Sequence, residues 1–133
     1  MSQNLDLVRS IYAAWERGDF SSVEWAHPEI KYTVIDGPTP GGGRGLASMA
    51  SAMADYVSPW KDYRVQVEEL RPLDADRVLV LLRQHGRGRV SGMELSGVGT
   101  RSANVLEIRA ERVVKLVIYW NRDRALADFA LKE

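Results

Sequence analysis

"GVGTRSANVLEIRAERVVKLVIYW", residues 97–120, decides the fold class. Thr100, Ser102, Asn104, Leu106 and Ile108 fall on alternate positions, the period of a strand with two distinct faces. After Ala110-Glu111 the pattern resumes in "RVVKLVIYW", so 97–109 and 112–120 are expected to form an antiparallel hairpin. Upstream, "YRVQVEEL" (63–70) and "DRVLVLLRQHGRGRV" (76–90) read as two more strands joined through "DAD" at 74–76. From Tyr63 onward the chain is therefore nearly all strand, closed by a brief helix, "DRALADFAL".

Toward the N-terminus the period changes. Leu5, Val8, Ile11, Tyr12 and Trp15 recur every three or four residues and predict a helix over roughly 4–17, capped by Ser2 or Asn4 and ended by Gly18. Asp19 is expected to cap a second, short helix, "FSSVEWA", stopped by His27-Pro28. Residues 29–36 alternate, with Ile30, Tyr32, Val34 and Asp36 on one face. "GPTPGGGRG" reads as a loop, and "LASMASAMADYV" as a third helix with Leu46, Met49, Met53 and Tyr56 or Val57 inward. Helices first and a meander of long strands afterwards predict an α+β fold, with helices on one face of a curved antiparallel sheet.

Composition narrows the function. The 133 residues suit one domain, 1–133, with no linker or repeat. Lys plus Arg and Asp plus Glu are 18 each, which removes the field of a dedicated nucleic-acid or anionic-membrane binder. No cysteine is present, so thiol chemistry and thiolate metal sites are out, and His27 and His85 are too far apart for a local metal motif. No apolar run approaches a membrane span and the N-terminus carries no leader pattern, so a cytoplasmic protein without metal or organic cofactor is expected.

Several local patterns carry a resemblance. "YAAWERGDF", "HPEIKYTV", "GGRGLASM", "GRGRVSGMEL" and "VVKLVIYWNRDRALADFAL" occur in the order found in nuclear transport factor 2-like proteins, and the last two resemble the SnoaL-like branch. The resemblance covers essentially the whole chain. It implies a cone, in which a bent sheet wraps the N-terminal helix and leaves an apolar pocket at its open end, often in a homodimer. Ketosteroid isomerases, polyketide cyclases and epoxide hydrolases share that fold with non-catalytic binding modules, so the pocket residues must decide the function.

Two residues are singled out for chemistry. Asp36 shares the inward face of Tyr32 and Val34, where desolvation would raise its pKa and suit a general base; the alternative is plain Asp-Gly-Pro turn chemistry. The resemblance brings Asn104 to the place of an oxyanion-hole acid in the isomerases, where an amide donates the same kind of hydrogen bond. The isomerases' helix-one tyrosine has no counterpart, since Ile11 falls there and Tyr12 points about 100° away. His85 stands in a basic row with Arg83 and Arg87, which suggests a wet face. The glycine run lacks the Lys-Ser/Thr of a phosphate loop. No Asp lies between Asp76 and Asp123 to build an epoxide-hydrolase centre.

The expected ligand-binding set is Trp15, Tyr32, Val34, Trp60, Gln84, Ile118 and Trp120, shaping a slot for a small apolar carbonyl or alicyclic compound. Two functions follow: proton abstraction of the isomerase or cyclase type, or a non-catalytic ligand-binding or dimerisation module. A homodimer is expected because Val113, Val117 and Tyr119 oppose Val114, Leu116, Ile118 and Trp120, and a lone chain would leave one of these faces wet.

Overall fold

The computed structural model describes residues 2–20, 22–36, 40–93 and 100–131. In chain order the elements are α1 (Ser2–Glu16), β1 (Ala26–Val34), β2 (Gly41–Arg44), α2 (Leu46–Val57), β3 (Trp60–Pro72), β4 (Arg77–Gly88), β5 (Arg101–Arg109), β6 (Arg112–Tyr119) and α3 (Arg122–Asp128). The strands make one curved sheet in the order β2-β1-β6-β5-β4-β3. The α+β expectation holds, with one difference: β1 runs parallel to β6, so the sheet is mixed rather than wholly antiparallel.

The apolar stripe of α1 does what its spacing predicts. Val8, Ile11, Tyr12 and Trp15 are buried against the inner face of the sheet. Gly18, at φ 81, ends the helix by donating its N–H to the Trp15 carbonyl at 2.9 Å, the left-handed termination that glycine makes without strain. Asn4 is not a cap. It lies within α1 and its amide donates to the Ala75 carbonyl at 3.0 Å, tying the helix to the β3–β4 turn.

Two local expectations fail, each to a non-local pairing. Residues 22–25 form a turn rather than part of a helix, and the strand begins at Ala26, taking in His27 and Pro28. Trp25 and Ala26 are buried in the core, and the Val113 N–H donates to the Trp25 carbonyl at 2.9 Å, so β6 recruits this segment. The register between β1 and β6 shifts between Ala26 and Lys31, a break that accommodates Pro28, which has no N–H to give the ladder. The glycine run, expected as a loop, supplies the edge strand β2, antiparallel to β1. A Cβ on Gly42 would stand 2.5 Å from the Tyr32 carbonyl, and one on Gly43 2.6 Å from the Tyr32 hydroxyl. Only glycine lets this edge lie so close.

Bulges bend the sheet. The β3–β4 register shifts twice, between Lys61 and Arg64 and between Val67 and Glu69, each time with an extra residue on β3. In β6 the pairs Ile108↔Val113 and Glu107↔Lys115 leave Val114 as the extra residue. That bulge corrects the parity reading, because Val113 joins Leu116 in the inner core instead of sharing the outer face with Val117 and Tyr119. The turn between β5 and β6 is the expected one, with Ala110 and Glu111 at φ 50 and 63, the left-handed pair of a tight hairpin.

The outer face has its own cover. α3 packs Ala125 and Leu126 onto Leu79, Leu81, Ala103, Val105 and Tyr119. Asn121 caps this helix, accepting the Asp123 N–H at 3.0 Å. Buried Arg122 donates to the Leu82 carbonyl at 2.6 Å, the Ser102 carbonyl at 3.4 Å and Glu68 at 2.5 Å. The apolar outer residues that argued for a second copy are thus covered in large part by the chain's own α3. Among the described residues, Val90 and Met93 are the large hydrophobics left exposed.

Candidate functional site

Between α1, α2 and the inner face of the sheet lies a cavity of about 50 Å³. Strand parity selects its polar wall. On β4 Leu82 and Gln84 point inward, and on β5 Ser102 and Asn104 do, with Leu82 opposite Ser102. Trp15, Phe20, Tyr32, Tyr56 and Tyr63 supply aromatic walls, while Met49 and Met53 of α2 supply an adaptable one.

The polar groups of this wall bond one another. The Asn104 amide donates to the Tyr12 hydroxyl at 2.6 Å across 92 positions of sequence. The hydroxyls of Tyr56, at 3.3 Å, and of Tyr63 both donate to the Gln84 side-chain oxygen. Tyr32 reaches past Gly43 to the Ser48 hydroxyl at 2.6 Å, fixing the start of α2 to the sheet. Burial pushes the Tyr12, Tyr56 and Tyr63 phenols above their usual range, so all three stay protonated at neutral pH. Side-chain hydrogen bonding, with Asn104 for Tyr12 and with Tyr63 and Gln84 for Tyr56, offsets only part of that rise.

No Asp, Glu, His, Lys or Arg lines the cavity among the described residues. Asp36 stands just beyond it. Its Oδ1 accepts the Trp120 N–H at 2.6 Å and its Oδ2 the Asn121 N–H at 3.2 Å, so both carboxylate oxygens hold the link between β6 and α3. It is half-buried, and it is neither a solvated turn residue nor a wall of the cavity.

Of the residues selected from sequence, Trp15, Tyr32, Val34, Gln84, Asn104 and Ile118 line the cavity together. Trp60 and Trp120 do not; they stack on each other, ring centroids 6.1 Å apart at 23°. His85 is exposed on the outer face, and His27 accepts the Glu29 N–H at 3.0 Å beside an outer groove. Sequence reasoning missed Tyr12, Tyr63, Phe20 and Ser102. Tyr12 was set aside because Ile11 took the isomerase position, yet both are buried and the longer side chain reaches Asn104. Ser102 shared inward parity with Asn104 and was legible. Among the described residues, no group of three or more His, Asp or Glu could hold a metal ion, and no helix is long and apolar enough to cross a membrane.

No family model and no curated protein sequence matches the chain. Solved structures do. A nuclear transport factor 2-like protein of unknown function from Burkholderia pseudomallei is 19% identical with TM-score 0.77, over 96% of this chain and 97% of that one. A protein carrying the name SnoaL-like polyketide cyclase, from a Jannaschia species, is 14% identical with TM-score 0.74, over 88% of this chain and 84% of its own. A protein with a ketosteroid isomerase-like fold from Catenulispora acidiphila is 14% identical with TM-score 0.70, over 96% and 94%. At such identities the likeness speaks for architecture alone, and with the curved six-stranded sheet around α1 it establishes that this chain has the nuclear transport factor 2-like fold.

Proposed function

We propose that the chain binds a small neutral molecule bearing one carbonyl or hydroxyl oxygen, and holds it without covalent chemistry. The observation that carries this reading is the uncharged cavity wall. Its polar groups are amides, the Ser102 hydroxyl and protonated phenols, which hydrogen-bond well but supply no general base near neutral pH. Asp36, the one acid on inward parity nearby, spends both oxygens on backbone N–H groups. The binding reading therefore takes precedence over proton abstraction. Size limits the ligand too: a cavity of about 50 Å³ is well short of the roughly 150 Å³ that accommodates benzene in an engineered core. A ketone such as butanone is about as large as benzene, so it and small rings alike enter only if Met49 and Met53 yield.

The five aromatic walls favour one other occupant, a methylated ammonium held by cation–π attraction. The Catenulispora neighbour was crystallised in complex with trimethylamine. One experiment separates the two. With methyl-¹³C methionine, the Met49 and Met53 resonances are followed during titration with butanone, with 2-methylbutane and with tetramethylammonium. Saturable shifts with butanone, weakened about tenfold in Asn104→Ala relative to the hydrocarbon, are expected. Shifts with tetramethylammonium alone would replace the ketone by the cation, and silence with all three would sink the binding reading.

A further inference from the structure

Beyond the cavity the inner face carries one more layer. The β1–β6 register pairs Val34 with Ile118, and the Ile35 N–H still donates to the Ile118 carbonyl at 2.9 Å, so Asp36 and Trp120 stand at the next inward level. On β4 the next inward position after Gln84 is Gly86, covered by Trp60: a Cβ there would lie 3.3 Å from the Trp60 Cβ. Trp60 stacks on Trp120, and Trp120 meets the Tyr56 ring edge-on at 6.0 Å and 67°. Tyr56 is itself a cavity wall. Three aromatic side chains, from the start of β3, the end of β6 and the last turn of α2, thus form a continuous layer over the Gln84 end of the cavity.

Trp120 is the weak point of that layer. It follows Tyr119, the last residue of β6, so its backbone lies beyond the end of that strand. What fixes it is the Asp36 carboxylate, bonded to its own N–H and to that of Asn121. A carboxylate accepting backbone N–H groups makes a charge-assisted bond, stronger than the neutral bonds nearby. On the other flank, Trp60 begins an edge strand two residues before Asp62, which sits at φ 56 within the first bulge of β3.

We infer that Asp36 is a positioning residue acting through Trp120: its carboxylate latches the Trp60–Trp120–Tyr56 layer shut, and a ligand exchanges with the cavity only when that stack parts. The inference rests on the proposed reading that the cavity takes a ligand. It assigns Asp36 a kinetic role, since the carboxylate is not part of the cavity lining and is spent on the Trp120 and Asn121 N–H groups, so that it governs passage rather than affinity. Removing the latch raises the on-rate and the off-rate together.

The test compares wild type with Asp36→Ala, Asp36→Asn and Trp60→Phe. Stacked indoles give an exciton couplet in the circular dichroism spectrum. The Trp15–Trp25 pair, centroids 5.8 Å apart, also couples, so the Trp60–Trp120 contribution is the part lost in Trp60→Phe. That part is expected to be reduced in Asp36→Ala, with Asp36→Asn between, because an amide oxygen accepts one of the two N–H groups. Butanone exchange, read from relaxation of the Met53 methyl, is expected to quicken about tenfold in Asp36→Ala while Kd moves less than threefold. A general loosening of the fold would instead weaken Kd and broaden the melting transition. Unchanged exchange in a variant that has lost the Trp60–Trp120 contribution overturns the latch. If wild type binds neither butanone nor tetramethylammonium nor the hydrocarbon, the binding reading has failed by itself. The latch is then decided by acrylamide quenching of Trp120 in Trp60→Phe and in its combination with Asp36→Ala: greater access in the latter supports it, and equal access rejects it.

Discussion

The two faces of the sheet obey different chemistry within one residue of each other. Across β5, β6, β1 and β2, one register row reads Leu106, Leu116, Tyr32 and Gly43 on the inside. The next reads Glu107, Lys115, Lys31 and Arg44 on the outside. Side-chain alternation sorts the charges so completely that the described cavity wall has none. The inside is consequently a place for hydrogen bonds and dispersion, and the ionisable chemistry lies outside, where water competes with it.

The largest effect expected on either face comes from the outer-side cation that is buried among the described residues. Arg122 satisfies the Leu82 and Ser102 carbonyls and Glu68 at once. Glu68 is partly exposed and keeps Arg83, so the cost of Arg122→Ala in urea unfolding should come from the two carbonyls left without a donor, about 1–3 kcal/mol for each. A loss under 1 kcal/mol, by contrast, would mean that water takes over its bonds (about one net hydrogen bond). Glu68 adds a pH signature. The Arg122 hydrogen bond holds its carboxyl below the usual carboxylate range, against a smaller opposing push from desolvation. Because the folded pKa is the lower one, the stabilisation is complete above the unfolded value of about 4.3 and disappears as pH falls through the folded value. Glu68→Gln should therefore flatten the acid limb of the stability curve while lowering stability at pH 7.

On the inner face the expected effect is smaller and has no pH dependence near neutrality. Tyr12→Phe leaves the buried Asn104 amide without its acceptor, which should cost about 1–3 kcal/mol. Asn104→Leu in the Tyr12→Phe background should restore part of that loss, because no orphaned donor remains. Strict additivity in this double-mutant cycle would show that the two groups do not interact.

The contrast between the faces also explains what the sequence disclosed. Long alternating runs and the α1 stripe made the α+β class and the inward parity of Tyr32, Gln84 and Asn104 legible, because those signals are local and repeat. β2 was not legible: glycine has no strand propensity, and Gly42 and Gly43 are there to let the Tyr32 backbone and phenol pass. The strand start at Ala26 and the parallel β1–β6 pairing come from partners nearly ninety positions away, about which local periodicity says nothing. Asp36 combines both cases. Its level and face followed from parity, but the direction of its carboxylate is set by the Trp120 and Asn121 amides, which only the folded chain brings near.

The smallest effect tests whether the outer face is tuned for stability at all. Lys31 is paired in register with Lys115 on one side and Arg44 on the other, and among the described residues none of the three has an acidic partner within ion-pair distance. Like charges directly opposite on neighbouring strands are unfavourable, whereas opposite charges contribute about 0.2–1 kcal/mol. Lys31→Glu puts a negative charge between two positive ones, so it should raise stability by about 0.5 kcal/mol at low salt. Glu29, two positions along the same strand, offsets part of the gain. Lys31→Gln should recover about half, by removing repulsion without adding attraction. Because all these side chains are exposed, both gains should vanish in about 1 M NaCl, where the Debye length falls to about 3 Å. A gain that survives salt would have to come from the local β-propensity of position 31, and a loss would show that the cationic row stabilises the edge of the sheet in a way pairwise Coulomb repulsion does not describe.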